Sequence, residues 1–252
     1  MSAKPNYPHL NNAPIAEAVI ELRVRMSRPI PDASFEVFRV RLKDRFPRAQ
    51  SIRFVASHLQ FDDENQVKND VSSTLFGVRL DDAEGTWVVQ AKSDGLAISR
   101  LPPYESWESL IATAREVWPI YVEVFDPEAV LRLGARYINR VPLEAENVDL
   151  DTVLTAAPKI PPDLPQSLLQ FVTRVVLPMG GEGITVTILQ LLEPASSEGS
   201  RRAHVVLDID AAYEQAITPK SPEMWGLLEG LRNAKNMAFF GSLTELTLRG
   251  FQ

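Results

Sequence analysis

The 252-residue chain carries 26 Lys and Arg against 33 Asp and Glu, with 45% hydrophobic and 23% charged residues. That is an ordinary globular balance in a chain long enough to bury a large core. No cysteine is present, which excludes disulfides, thiolate nucleophiles and zinc sites built on Cys. A pI near 5.1 disfavours a nucleic-acid binder held mainly by phosphate contacts, since counterion release needs a cluster of Lys and Arg.

The longest apolar run, residues 183–192, reaches about half of the roughly 20 residues a membrane helix needs. The first residues hold three prolines and no continuous apolar stretch of the kind an export signal carries. A cytoplasmic protein without a membrane partner is expected.

In chain order, IAEAVIELRVRM (15–26) alternates Ala16, Ala18, Ile20, Leu22 and Val24 with mostly charged residues and reads as a strand. Residues 32–46 place Phe35, Phe38, Leu42 and Phe46 at helical spacing, with Asp32 or Ser34 as N-cap and Pro47 as the stop. Strands follow at 52–61, 74–80, 87–92 and 95–101, separated by the polar turns DDENQVKND, DDAEG and SDG. A helix over 106–125 carries Trp107, Leu110, Ile111, Ala114, Val117, Trp118 and Tyr121 on one stripe. Pro119 within it predicts a kink or a broken last third. Trp118, Tyr121 and Trp225 read as core, whereas Tyr104 lies outside the stripe, in a loop whose two prolines fix an extended approach to a Ser106 cap.

The next strand, LRLGARYINRV (131–141), sets Arg132, Arg136 and Arg140 on one face and Leu131, Leu133, Ala135, Tyr137 and Val141 on the other. The proline-rich, acidic stretch 142–167 reads as an irregular connection with at most one short helix. Strands at 168–179, 183–192 and 203–213 come after it, the first pair joined by a GGE turn. A helix over 222–240 starts at Pro222, and Ser242 with Glu245 reads as a capping box. This order predicts an α+β fold of mainly antiparallel sheet with three main helices. It is read as one domain over 1–252, with similar element order in the halves 1–127 and 128–252.

Chemistry is sparse. His9, His58 and His204 are the three histidines, and no G-x-S-x-G, H-E-x-x-H or G-x-G-x-x-G occurs. GGEG at 180–183 lacks the lysine of a phosphate loop. Asp208 and Asp210, two apart on one strand face, are the metal-ligand candidates, given a third oxygen from elsewhere. Neighbouring arginines of the row stand about 13 Å apart. They are too far apart to clamp one carboxylate, and acidic neighbours such as Glu17 and Glu21 would turn them into a cross-strand ion-pair ladder. Asn139, on the core-facing parity with Tyr137, needs hydrogen-bond partners.

Four phrases, NAPIAEAVIELR, SRLPPYESW, LGARYINRV and KNMAFFGSLTE, together resemble the uncharacterised, sporadically distributed family of bacterial proteins of about this length. The resemblance covers nearly the whole chain. Its recurrent positions fall on Pro14, Glu17, Ala18, Arg100, Leu101, Tyr104, Trp107, Arg136, Tyr137, Asn139, Lys235, Asn236 and Phe240. It implies a single-domain bacterial cytoplasmic protein in an accessory or defence setting, and it brings no assigned catalytic residue or cofactor.

The leading functional expectation is a binding or interaction component of a larger assembly, meeting a protein partner or a second copy through its charged sheet face or an open edge. The alternative is an enzyme or sensor that holds a small anionic ligand on a polar sheet face, with Arg100, Arg136 and Lys235 converging as ligand contacts.

Overall fold

The computed structural model describes residues 7–61, 67–143, 149–179, 183–195 and 202–252. Alternation of apolar and polar residues produces β1 (Ile15–Met26), β2 (Arg48–Phe61), β3 (Val67–Asp81), β4 (Trp87–Lys92), β5 (Gly95–Arg100), β6 (Pro127–Pro142), β7 (Val172–Pro178), β8 (Ile184–Glu193) and β9 (His204–Tyr213). They form one antiparallel sheet in the order β2-β3-β4-β5-β1-β6-β9-β8-β7. In each part of the chain the first strand, β1 or β6, stands at the centre. The later strands step from the outer edge back towards it. The fold is therefore α+β with an antiparallel sheet.

Three helices, α1 (Asp32–Leu42), α2 (Trp107–Phe125) and α3 (Glu223–Ser242), supply the apolar stripes that cover one face. Helix α2 lies over β1 and β5, α3 lies over β6, β9 and β8, and α1 rests beside α2 and β3. Phe35 and Phe38 of α1 pack on Phe125, and Phe38 meets Tyr121 edge-on. The covered face carries Ile20, Leu22, Leu133 and Ala135, all fully buried. The opposite face of the central strands bears the charges, as one-sided burial of an antiparallel sheet requires.

Several local expectations change. Pro119 lies within α2 yet the helix continues to Phe125, held by burial of Val117, Trp118, Tyr121 and Phe125. Asp126, at φ 49°, ends it by donating its backbone N–H to the Val122 carbonyl. Helix α1 begins after Pro31 with no side-chain cap, so neither Asp32 nor Ser34 is the N-cap. Ser242 is the last residue of α3, and Thr244 instead caps the short α4 (Glu245–Arg249), its hydroxyl accepting from the Thr247 N–H. Strand β3 starts at Val67, inside the expected DDENQVKND turn, while residues 62–66 and the GGE turn at 180–182 lie outside the described residues. Three irregularities interrupt the β1–β6 ladder, and two of them change which residues face the core. One leaves Leu131 partly exposed instead of in the core. The other, between Ile15 and Glu17, pairs Ile15 with Asn139 on the helix side. Among the described residues of the acidic connection after β6 there is one 3-10 turn, Leu150–Thr152. Among the described residues no helix is long and apolar enough to cross a membrane.

Candidate functional site

The central strand β6 presents two chemistries on its two faces. On the open face each arginine of the row meets acid. Arg132 pairs with Glu21 of β1 and, at 2.6 Å, with Asp210 of β9. Arg136 binds Asp208 through two hydrogen bonds of 2.9 and 2.5 Å, which holds its guanidinium more firmly protonated than usual. Arg140 reaches Glu193 at 2.7 Å. Gly134 makes room for the Arg132 guanidinium, because a Cβ there would collide with it. Asp208 and Asp210 are thus arginine partners, and no group of three His, Cys, Asp or Glu suited to a metal ion occurs among the described residues.

On the helix face, Tyr137 and Asn139 of β6 form the floor of a cleft of about 540 Å³. Helix α3 contributes Arg232, Lys235, Asn236 and Phe239, whose three- and four-residue spacing puts them on one stripe. The loop before α2 brings Tyr104 over Tyr137, their hydroxyls 2.8 Å apart and their rings edge-on. Ser106 fixes that loop, its hydroxyl accepting from the Ser109 N–H at 3.1 Å. The N-terminal segment closes the remaining wall. Asn12 N–H donates to the Phe251 carbonyl at 3.0 Å, and the Tyr7 ring stacks on Phe240 at 4.5 Å.

Charge in the cleft is balanced except at one place. Arg232 bridges Glu108 at 3.0 Å and Glu229 at 3.5 Å, and Glu229 also accepts from the Trp107 indole at 2.6 Å. Glu105 is taken by Arg100 at 2.7 Å. Lys235 has no acidic partner and its amine no hydrogen bond among the described residues; it sits 3.6 Å above the Tyr137 ring. Burial, reinforced by the Arg232 charge, pulls its basicity down to about 7. Burial likewise pushes the Tyr104 hydroxyl up to about 12 and raises that of Tyr137 well above the ordinary phenol value. Both phenols stay neutral donors at ordinary pH.

The expected trio does not converge. Lys235 lines the cleft, but Arg136 lies on the opposite side of the sheet, because adjacent residues of a strand face opposite ways. Arg100 shares the helix face: both it and Tyr137 stand opposite Ala18. It is buried against Trp87 at 5.1 Å, with Nε and Nη1 unpartnered, and acts through Glu105 on the cleft's rim. Asn139 finds its partners, donating to the Leu207 carbonyl at 2.9 Å and to that of Tyr137 at 3.3 Å. No sequence motif marks Arg232 or the N-terminal wall, both of which line the cleft. A polar stripe at 232, 235 and 236 beside the apolar stripe of the same helix was the signal available for Arg232. Nothing local marks residues 7–13.

Of the positions singled out by resemblance, Tyr104, Trp107, Tyr137, Asn139, Lys235, Asn236 and Phe240 all line this cleft. No family model matches the chain, and no curated protein matches it.

Proposed function

We propose that the protein binds a small anionic molecule with a flat, unsaturated part in the cleft between β6, α3 and the loop before α2. The observation that carries this is the unpaired Lys235 amine in a pocket where every other charged side chain of the loop and helices has its counter-ion. An anion completes that balance, and the aromatic walls favour a planar body. This is the enzyme-or-sensor alternative moved from the polar sheet face to the helix side. Its setting follows the resemblance, a bacterial cytoplasm.

Native mass spectrometry of the protein purified gently from its host tests it. A non-covalent adduct is expected on the wild type, lost in Lys235→Met and kept in Arg136→Ala. An adduct indifferent to Lys235 would place the ligand elsewhere and sink the proposal.

A second reading, self-association or a protein partner, rests on a different feature. Edge strand β7 exposes Val172 at 60% and Val175 and Val176 at 48% each, and an uncovered apolar edge invites strand addition. Multiples of the chain mass that disappear in Val175→Lys are expected on this reading.

A further inference from the structure

The amine of Lys235 has the surroundings of a nucleophile as well as those of a counter-ion. It is half-buried on α3, lies over a tyrosine ring rather than against a carboxylate, and borders a cleft with room for a ligand. Two neutral phenols, Tyr137 at the floor and Tyr104 above it, are hydrogen-bonded to each other and offer a hydroxyl donor beside the amine. A lysine normally fails as a nucleophile at neutral pH because it is protonated; desolvation and a neighbouring cation remove that obstacle.

We infer that Lys235 condenses with an aldehyde or ketone group of the cleft's ligand, holding it as a reversible imine. This rests on the cleft being the binding site proposed above. The neutral amine adds to the carbonyl carbon: the N–C bond forms, the C=O π pair moves to oxygen, and a proton passes from nitrogen to that oxygen to give a carbinolamine. Loss of the hydroxyl with a second proton, as water, breaks the C–O bond and leaves C=N. Hydrolysis reverses each step, so no oxidant or reductant is needed. Arg232 and Tyr137 face the amine directly. Tyr7, His9, Tyr104, Glu105 and Glu108 are the other titratable groups of the cleft. Glu105 and Glu108 are held by arginines, so the amine's own protonation sets the pH dependence.

The test uses the full-length protein with 4-carboxybenzaldehyde, which combines ring, carboxylate and carbonyl, and sodium cyanoborohydride to reduce any imine, followed by peptide mass mapping. Lys235 should be modified at pH 7 at least about ten-fold faster than the exposed Lys43 and Lys220, because desolvation favours the neutral, nucleophilic amine of Lys235. Its rate should rise with pH to a plateau above about 7, and Lys235→Arg should lose that fast site alone. Modification of Lys235 no faster than Lys43 and Lys220 overturns the inference. Calorimetry with terephthalate, the same ring without the carbonyl, separates the two proposals. If terephthalate binds the wild type and not Lys235→Met while Lys235 resists labelling, the imine falls and the non-covalent site stands. If terephthalate does not bind and Lys235 resists labelling, both fall.

Discussion

Three cations of two neighbouring elements show how surroundings decide what a charged residue does. Arg132 is 10% exposed and held by carboxylates on both sides, so truncating it strands two partly buried acids. Arg132→Ala should lower unfolding free energy by about 3 kcal/mol, as loss of one member of a buried pair does. Arg140, with its partner also exposed, should cost under about 1 kcal/mol when removed. Urea denaturation of the two variants compares them directly. Lys235 behaves in the opposite sense. Its folded-state pKa of about 7 lies below the ordinary lysine value of 10.5, so between those values the unfolded chain binds a proton that the folded one does not. Stability therefore rises with pH across that window, and below pH 7 the fold bears a poorly solvated ammonium. Lys235→Met should stabilise most at pH 6 and lose that advantage progressively as the pH rises from about 7 towards 10.5; a pH-independent difference in denaturation midpoint would contradict the assignment.

Elements were legible where one residue pattern ran unopposed. Strands β1 and β4 begin and end at the residues their sequence pattern predicts, and the apolar stripe of α2 carries it past Pro119. Ends were legible only where the cap is local. Ser106 was readable because its hydroxyl meets an N–H three residues on. Thr244 was not, because its hydroxyl also donates to the carbonyl of Thr152 at 2.6 Å, a partner far away in the sequence. Ser106→Ala should cost about 1 kcal/mol, the usual value of an N-cap. It should also loosen Tyr104 over the cleft, seen as a larger drop in ligand affinity than Ser109→Ala produces.

Across the whole molecule, β1 and β6 join the two parts of the chain through paired residues from Ile15–Asn139 to Met26–Pro127. Neither part buries its central strand without the other. Thermal unfolding should accordingly be a single transition, with far-ultraviolet and near-ultraviolet circular dichroism coinciding; two separated transitions would show that the parts fold independently. The cleft is a product of this arrangement, since Tyr137, Tyr104, Lys235 and Tyr7 come from four distant stretches. Alternation in the sequence alone determined that β6 has a charged face and an apolar face, that Arg132, Arg136 and Arg140 share the first, and that Tyr137 and Asn139 share the second. Only the tertiary structure decided that acids from β1, β8 and β9 would neutralise the arginine row and that α3 would set an unpaired lysine over Tyr137. The periodicity of a strand or helix is written in neighbouring residues. Which strands pair, and what covers them, depends on contacts between residues a hundred positions apart, which no local pattern records.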